Sequence, residues 1–384
     1  MSVSTSLTSS STSLKSLPLR VAVIGCGNIS DIYLKNMPRF AALRVVGVSD
    51  LDFARAEATA AKYGIERAIP LDRVFDDPGV DLILNLTTPE SHASIALRAL
   101  EGGKHVYGEK PLALKVEDGR RIVETAQARG LRVGSAPDTV LGAGIQTCRA
   151  LIEAGAIGEP IAATAFMTNR GHERWHPNPA FYYQPGAGPM FDMGPYYLSA
   201  LVNLIGPIAQ VCGMARATFA ERTITSEPKR GEKIEVNTPT HIASQLGFAN
   251  GAIGTIVTSF DIWGAVLPRI EIYGTEGSLS VPDPNTFGGP VRIKRREADW
   301  EDVTLTHPYA ENTRGLGVAD LAEAVASGRS HRANGELALH VLEVMQATLD
   351  AATGGRTITI ESSTDKPLPM ASEPFAANVE HLNV

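Results

Sequence analysis

Val21-Ala22-Val23-Ile24-Gly25-Cys26-Gly27-Asn28-Ile29-Ser30 is a short apolar run that breaks into the pattern G-x-G-x-x-S. In a strand-to-helix loop of this kind the first glycine makes the tight turn. The second lets the backbone approach a pyrophosphate, which rests on the positive end of the helix that follows. Gly25 and Gly27 fill those places, and Asn28 and Ile29 lead into the helix. The third position is Ser30 rather than Gly or Ala, which predicts slightly looser packing of helix on strand. A glycine pattern alone is weak evidence, but two features strengthen this one. It opens a series of alternating strand-like and helix-like segments. Asp50 also closes the second strand, 25 positions after Gly25, near where a ribose-binding carboxylate belongs. A carboxylate there accepts hydrogen bonds from both ribose hydroxyls and repels a 2′-phosphate. Leu51 follows, where an NADP enzyme often places Arg. The expected cofactor is therefore NAD, with NADP less favoured.

Working outward from this loop, Arg20–Ile24, Leu43–Ser49, Val80–Leu86, Lys104–Tyr107 and Leu131–Gly134 read as strands. Ile29–Met37, Phe53–Tyr63, Ser91–Leu100 and Glu117–Arg129 read as the helices between them. Alternation at this pitch predicts βαβ units and a parallel sheet, an α/β Rossmann domain over 19–157. Near residue 158 the texture changes. Gln210–Thr218, His241–Phe248, Ile253–Phe260, Arg269–Tyr273 and Ser278–Val281 read as strands, with a hairpin signal at Asn250-Gly251. Two helical patterns follow, Thr313–Ser327 and Glu336–Thr353, the second with an apolar face suited to packing back on the first domain. Residues 158–362 are thus expected to form an α+β domain with an antiparallel or mixed sheet. Residues 1–18 read as a disordered tail and 363–384 as a loosely held one.

The chain has 384 residues, enough for two domains, and 43% of them are hydrophobic. Its formal net charge of −7 gives no basic footprint for nucleic acid. No apolar run approaches the roughly 20 residues of a membrane helix, and the Ser/Thr-rich start lacks the pattern of a secretory signal. Cys26, Cys148 and Cys212 are far apart and show no metal-ligand spacing. A reduced, cytoplasmic setting is expected.

Two segments follow predicted strands at the carboxyl edge of the sheet, where ligands bind. They are Thr87-Thr88-Pro89-Glu90-Ser91-His92 and Gly108-Glu109-Lys110-Pro111. Together with G-C-G-N-I-S and Gly186-Ala187-Gly188-Pro189-Met190-Phe191-Asp192-Met193-Gly194-Pro195-Tyr196, they make the chain resemble the glucose-fructose oxidoreductase / inositol dehydrogenase / rhizopine-catabolism (Gfo/Idh/MocA) family from about Leu19 to Thr359. The resemblance implies a Rossmann domain followed by an open, mostly antiparallel sheet, with the substrate between them. It implies hydride transfer between NAD and a hydroxyl or carbonyl of a sugar, polyol or inositol. It also implies a homodimer or homotetramer built on the open sheet. By the same resemblance Thr87, Thr88, Pro89, His92, Glu109 and Lys110 join Gly25, Gly27, Asn28, Ile29 and Asp50 at the cofactor. Lys110 matches the family lysine of E-K-P. An ammonium beside a cationic nicotinamide in a partly dry pocket would have its pKa lowered toward neutrality and could shuttle the proton of the reacting hydroxyl.

The chain departs from the family motif D-x-G-x-H-x-x-D. Asp192 and Gly194 match, but Tyr196 stands at the usual His and Ser199 at the final Asp. An unperturbed Tyr titrates near pH 10, so Tyr196 would donate a hydrogen bond, or act as acid or base only if neighbouring cations lower its pKa. The expected catalytic set is Lys110, Tyr196 and Asp192. Tyr196 as a packing residue is the competing reading, as is Asp192 as cap of a helix that starts near Pro195. Upstream, His172-Glu173-Arg174-Trp175-His176-Pro177 and Phe181-Tyr182-Tyr183-Gln184 form an aromatic and polar cluster suited to a sugar ring. From it Trp175, His176 and Tyr182 are expected at the substrate, with His241 further on. His172 and His176 have H-x-x-x-H spacing, but Gly171 and Pro177 disfavour a helix through them, so no metal is expected. Two other readings accompany the dehydrogenase. One is a hydrolase or lyase that uses transient oxidation by held NAD. The other is a non-catalytic dinucleotide-binding sensor.

Overall fold

The computed structural model describes residues 16–378. The glycine loop sits in a parallel sheet of five strands: β1 (Leu19–Ile24), β2 (Leu43–Ser49), β3 (Leu82–Asn85), β4 (His105–Gly108) and β5 (Val133–Ser135). Helices α1 (Ser30–Asn36), α2 (Phe53–Tyr63), α3 (Pro89–Glu101) and α4 (Val116–Ala128) alternate with them. The strand order is β2-β1-β3-β4-β5. The chain therefore reverses direction across the sheet between β1 and β3, which places a crevice beside the loop after β1. β3 is buried along its whole length, as expected of a strand covered by helices on both faces.

The chain then forms α5 (Ala143–Glu153), β6 (Pro160–Thr168), α6 (Gly188–Leu204), β7 (Ile208–Arg216), β8 (Glu221–Thr223), β9 (Lys233–Glu235), β10 (His241–Phe248), β11 (Ile253–Ser259), β12 (Ile270–Gly274), β13 (Gly277–Val281), β14 (Val291–Arg295) and β15 (Glu301–Val303). The helices α7 (Leu316–Ser327) and α8 (Gly335–Gly354) and the short β16 (Ile358–Thr359) complete it. Nine strands form one sheet in the order β15-β14-β13-β12-β6-β11-β10-β7-β16. Every pair is antiparallel except β6 with β11. β8 and β9 pair separately. Ala163, Ala165 and Met167 of β6, and Ile242, Ser244 and Leu246 of β10, are buried, while α5, α6 and α8 pack against this sheet. The other face exposes Met214 and Ile253.

The hairpin at Asn250-Gly251 forms as expected, with Gly251 at φ 91° and Phe248 N–H donating to Ala252 O at 2.9 Å. Two expectations need correction. β6 and α5 were not anticipated, although β6 lies at the centre of the second sheet. The tail after Ser362 is also not loose as far as Asn378. Met370 is buried and its N–H donates to Gln146 Oε1 at 2.8 Å. Ala41 and Asn378 then tie the segment 376–378 to the first domain, through Ala41 N to Ala376 O and Asn378 N to Arg39 O, both 3.0 Å. The remaining residues of both tails, 1–15 and 379–384, lie outside the described residues. α8 packs on α4 and β5 as well as on α6 and β7, so the late helices join the two sheets. Among the described residues no helix is long and apolar enough to cross a membrane.

Candidate active site

The glycine loop has the shape a dinucleotide needs. Gly25 sits at φ 100°, and a Cβ there would lie 2.6 Å from Leu86 O, so no other residue fits. A Cβ at Gly27 would meet nothing within 4 Å. The space over Gly27 is therefore open at the start of α1, where a pyrophosphate would lie. Ser30 does not point into that space; its Oγ donates to Gly27 O at 2.7 Å. Asp50, just past β2, is nearly buried and fixed by two amides: Cys26 N–H donates to its Oδ2 at 2.8 Å and Asp52 N–H to its Oδ1 at 2.9 Å. Arg55 of α2 reaches Oδ1 at 3.4 Å. These residues fit an NAD ribose and pyrophosphate.

At the ends of β3 and β4 the loop residues brace one another. Pro89 occupies the first turn of α3, with Thr88 at its N-cap. Asn85 Oδ1 accepts from the Thr87 hydroxyl at 2.7 Å. His92, offered above as a cofactor residue, is buried instead. Its ring lies between Pro111 O, 2.7 Å from Nδ1, and Thr87 O, 3.0 Å from Nε2. It ties the Thr87 loop to the Lys110 loop. Glu109 Oε1 accepts from the buried Tyr33 hydroxyl of α1 at 2.8 Å, and Lys110 N–H donates to Glu109 Oε2 at 3.1 Å.

α6 brings the second part of the site. It starts at Gly188, with Pro189 in its first turn and Pro195 in its interior. The expected start near Pro195 is thus too late, and Asp192 is a helix residue rather than a cap. Pro189 already supplies the favourable first-turn proline. Asp192 faces Lys110: Nζ donates to Asp192 O at 2.6 Å and to Oδ1 at 3.0 Å. Tyr196, one turn on and buried, presents its ring to the same ammonium, 5.3 Å from Nζ to the centroid. The other carboxylate oxygen of Asp192 lies 2.8 Å from His172 Nε2. His172 Nδ1 is buried with no hydrogen-bond partner, so the proton sits on Nε2 and is donated to Asp192.

His172 is held by aromatic rings, with centroids 4.1 Å to Tyr182, 5.2 Å to Trp175 and 4.6 Å to Phe260. His176 touches Trp175 and Tyr182 in turn, and its Nδ1 accepts from Asn178 N–H at 3.0 Å. Trp175, His176 and Tyr182 therefore do assemble beside Asp192. Their loop is fixed from beneath. Gly171 lies at φ 93°, where a Cβ would collide with Glu173 and Tyr183. Buried Glu173 accepts from Tyr183 and from Arg222 of β8, and Arg222 also binds Asp261. His241 does not join the cluster. It opens β10 with its side chain on the face opposite to buried Ile242 and Ser244, and Nδ1 lies 2.9 Å from Ser259 Oγ.

The electrostatics of the chain itself define the resting charges of the site. Burial alone would pull the Lys110 ammonium down, but the Asp192 carboxylate, with Tyr196 and Glu109 behind it, outweighs burial and holds Lys110 above the ordinary lysine value. Burial opposes the Asp192 carboxylate too, yet Lys110 and His172 hold it below the usual range. The Tyr196 phenol is pushed up by burial; Lys110 and Arg314 oppose this without cancelling it. The chain by itself therefore holds a charged Lys110–Asp192 pair and a protonated Tyr196, not a lysine poised near neutrality. Motif reading passed over His172 and missed Arg314, whose positive charge opposes the rise of the Tyr196 phenol. His172 stands in a loop with no regular period, and Arg314 lies 118 positions after Tyr196.

Residues 19–136 match the description "Oxidoreductase family, NAD-binding Rossmann fold" and residues 145–280 match "GFO/IDH/MocA C-terminal domain". Among known proteins, the chain is similar to 1,5-anhydro-D-fructose reductase of Ensifer adhaerens, 33% identical over 89% of this chain and 99% of that one. It is similar to inositol 2-dehydrogenase 1 of Saccharopolyspora erythraea, 27% identical over 91% and 98% of the two chains. A levoglucosan dehydrogenase solved with NADH and L-sorbose shares the fold at a TM-score of 0.77, with 21% identity over 90% of this chain and 99% of that one. With both of its sheets matched and the lysine and aspartate facing each other across the crevice, the chain belongs to the GFO/IDH/MocA family of NAD-binding oxidoreductases.

Proposed function

We propose that this chain transfers hydride between NAD and a CH–OH or C=O carbon of a sugar, polyol or inositol. The observation that carries the reading is the Lys110–Asp192 contact, which joins the carboxyl edge of the first sheet to α6 beside an open glycine loop. The reductase and dehydrogenase relatives and the NADH- and sorbose-bound structural neighbour support the substrate class. Gly25, Gly27 and Asp50 would hold the dinucleotide, which supplies the hydride acceptor or donor. Asp50 favours NAD over NADP through repulsion of a 2′-phosphate, an effect that Arg55 beside it softens.

The chain's own groups handle the proton. A lysine ammonium has three donors. Asp192 takes two, through its backbone oxygen and its carboxylate, which leaves one N–H for the reacting oxygen. Tyr196 adds a phenol donor to the same region. Carbonyl reduction uses this resting state directly: Lys110 gives its proton to the oxygen as hydride reaches the carbon. Alcohol oxidation requires Lys110 to release a proton first, and the Asp192 carboxylate bonded to its ammonium is the base within reach.

The test is an NADH-production screen over aldoses, polyols and inositols, repeated with NADP. Lys110→Met should lose about 10²–10⁴-fold of turnover, the span of general acid–base catalysis, while still binding NAD. Full turnover in Lys110→Met would refute the lysine mechanism. NAD binding with no product from any of these substrates would favour a sensor. The open face of the nine-stranded sheet, with Met214 81% and Ile253 62% exposed, suits a homodimer or homotetramer; a monomeric mass by light scattering would rule this out.

A further inference from the structure

The loop between β6 and α6 carries two large aromatic side chains outward on a rigid base. Glu173 O accepts from the N–H groups of Thr225 and Ser226 at 2.8 and 3.1 Å, and Asn237 N–H donates to Tyr183 O at 2.8 Å. Ser226 Oγ donates to His176 O at 2.6 Å. These bonds add to the buried Glu173–Arg222 pair beneath. On that base Trp175 is 62% exposed and Phe181 44% exposed. His176 stands between them, with ring centroids 5.3 Å from Trp175 and 5.5 Å from Phe181, and meets each of them edge to face at 78°. Two large rings left in water forgo the burial that a ligand would give them. Holding them in place beforehand lowers the ordering cost of binding that ligand.

His176 adds a polar group to this platform. Its Nδ1 accepts from Asn178 N–H at 3.0 Å, so the ring proton sits on Nε2. Among the described residues that N–H has no hydrogen-bond partner. Burial lowers the His176 pKa below the ordinary 6.5, which keeps the ring neutral at pH 7. Aromatic rings beside one neutral donor suit a sugar ring, whose C–H groups stack on the rings and whose hydroxyl takes the N–H. The platform lies beside the reacting pair, not on it. His172 bonds Asp192 directly, whereas the rings of His176 and Phe181 reach His172 through Trp175 and Tyr182. Exposure rises in the same order, from buried His172 through half-buried Tyr182 and His176 to Phe181 and Trp175. A monosaccharide seated on the third Lys110 donor lies against the inner rings and leaves the outer ones in water.

We propose that Trp175, His176 and Phe181 form a subsite for a second sugar ring, so that the substrate is a disaccharide or glycoside whose inner ring meets Lys110. In the oxidation direction one CH–OH carbon of the inner ring gives its hydride to NAD and its hydroxyl proton to the chain, and the glycosidic bond stays intact. The proposal rests on the sugar oxidoreductase reading and narrows it. The test is NADH production from matched pairs that share the reacting ring: methyl β-glucoside with cellobiose, methyl α-glucoside with maltose, and methyl β-galactoside with lactose. In at least one pair the disaccharide should exceed the methyl glycoside in kcat/KM by about tenfold, chiefly through KM, as a well-packed aromatic contact allows. Trp175→Leu, Phe181→Ser and His176→Phe should each lower that ratio by about threefold or more, the last by removing the donor while keeping a ring. Circular dichroism and NAD binding establish that each variant is folded. Equal efficiencies within every pair, or a disaccharide preference that all three variants retain, overturn the proposal and leave the sugar reading standing. So does silence from every pair when free aldoses or polyols yield NADH. Silence from all of them, with NAD still bound, overturns the sugar reading as well.

Discussion

Asp192→Asn isolates the charge that sets the state of the site. Asn keeps the shape of the side chain and the backbone oxygen that accepts from Lys110 at 2.6 Å. It removes the negative charge of the carboxylate whose Oδ1 lies 3.0 Å from Nζ. At that separation and an effective dielectric constant of about 20, the lost attraction is roughly 5.5 kcal/mol. The full amount will not appear, because His172 shares the carboxylate and its own hydrogen bond must also reorganise. The burial that already works against the Lys110 ammonium stays in place. The Lys110 midpoint should therefore drop by about 3 pH units, from above the ordinary lysine value to below it. Reductive ¹³C-methylation followed by NMR titration reads this directly, with the Lys110 resonance identified by its loss in Lys110→Arg. Under the proton-donor reading, carbonyl reduction in Asp192→Asn should weaken at lower pH than in the parent, because the proton on Lys110 is lost earlier. A Lys110 midpoint that stays at or above the value of an exposed lysine would show that the carboxylate does not govern its charge, and the electrostatic account of the site would fail.

The ribose carboxylate and the buried histidines give two more tests. Asp50→Ser removes the negative charge while Arg55 remains, so the ratio of NADP to NAD efficiency should rise by at least about tenfold, the equivalent of ~1.4 kcal/mol; an unchanged ratio of kcat/KM values would mean that Asp50 does not select the cofactor. His340 of α8 is buried and its Nε2 accepts from Ile208 N–H at 3.0 Å, and burial lowers its pKa below the ordinary 6.5. Folding thus favours the neutral ring: its contribution is complete above the unfolded-state value and is lost as pH falls through the folded-state one. Tm should drop between pH 7 and pH 5, and His340→Gln should lower Tm at pH 7 while flattening that dependence; an equally steep slope in the variant would place the acid sensitivity elsewhere, with His331, also buried and lowered, as the next residue to change.

The first sheet was legible because its strands are continuous apolar runs with turn residues at each end, and a strand buried on both faces writes that pattern into sequence. β6 was not. Pro160-Ile161-Ala162-Ala163-Thr164-Ala165-Phe166-Met167-Thr168 buries mainly small side chains, Ala163 and Ala165, beneath α6, so its alternation carries little contrast. The sequence suggests a late start for α6 because Pro195 resembles a first-turn proline. In the structure Pro189 holds that role, and Pro195 sits within a helix that is buried along most of its length. Tertiary packing there overrides the helix-breaking tendency of an interior proline.

The same contrast separates what could be read of the site from what could not. Lys110 and Asp192 stand in short motifs, each set by the local geometry of a strand end or a helix, and their meeting across the crevice follows from the order of the two domains. The charge state of the pair does not follow from either motif. It depends on a 3.0 Å contact between residues 82 positions apart, and on the His172 loop that Gly171, Glu173 and Arg222 hold against Asp192. A lysine next to a cationic ring is expected to lose its proton, whereas a lysine bonded twice to one aspartate is expected to keep it. Which tendency prevails during turnover is set by how far the Lys110–Asp192 contact loosens when substrate arrives. A substrate oxygen that takes only the third Lys110 donor leaves the pair intact and favours proton delivery, hence reduction. One that displaces the Asp192 carboxylate removes the charge that stabilises the ammonium and favours oxidation. The Lys110 titration, repeated with bound NADH and with bound product alcohol, distinguishes these two modes of binding by the sign of the shift.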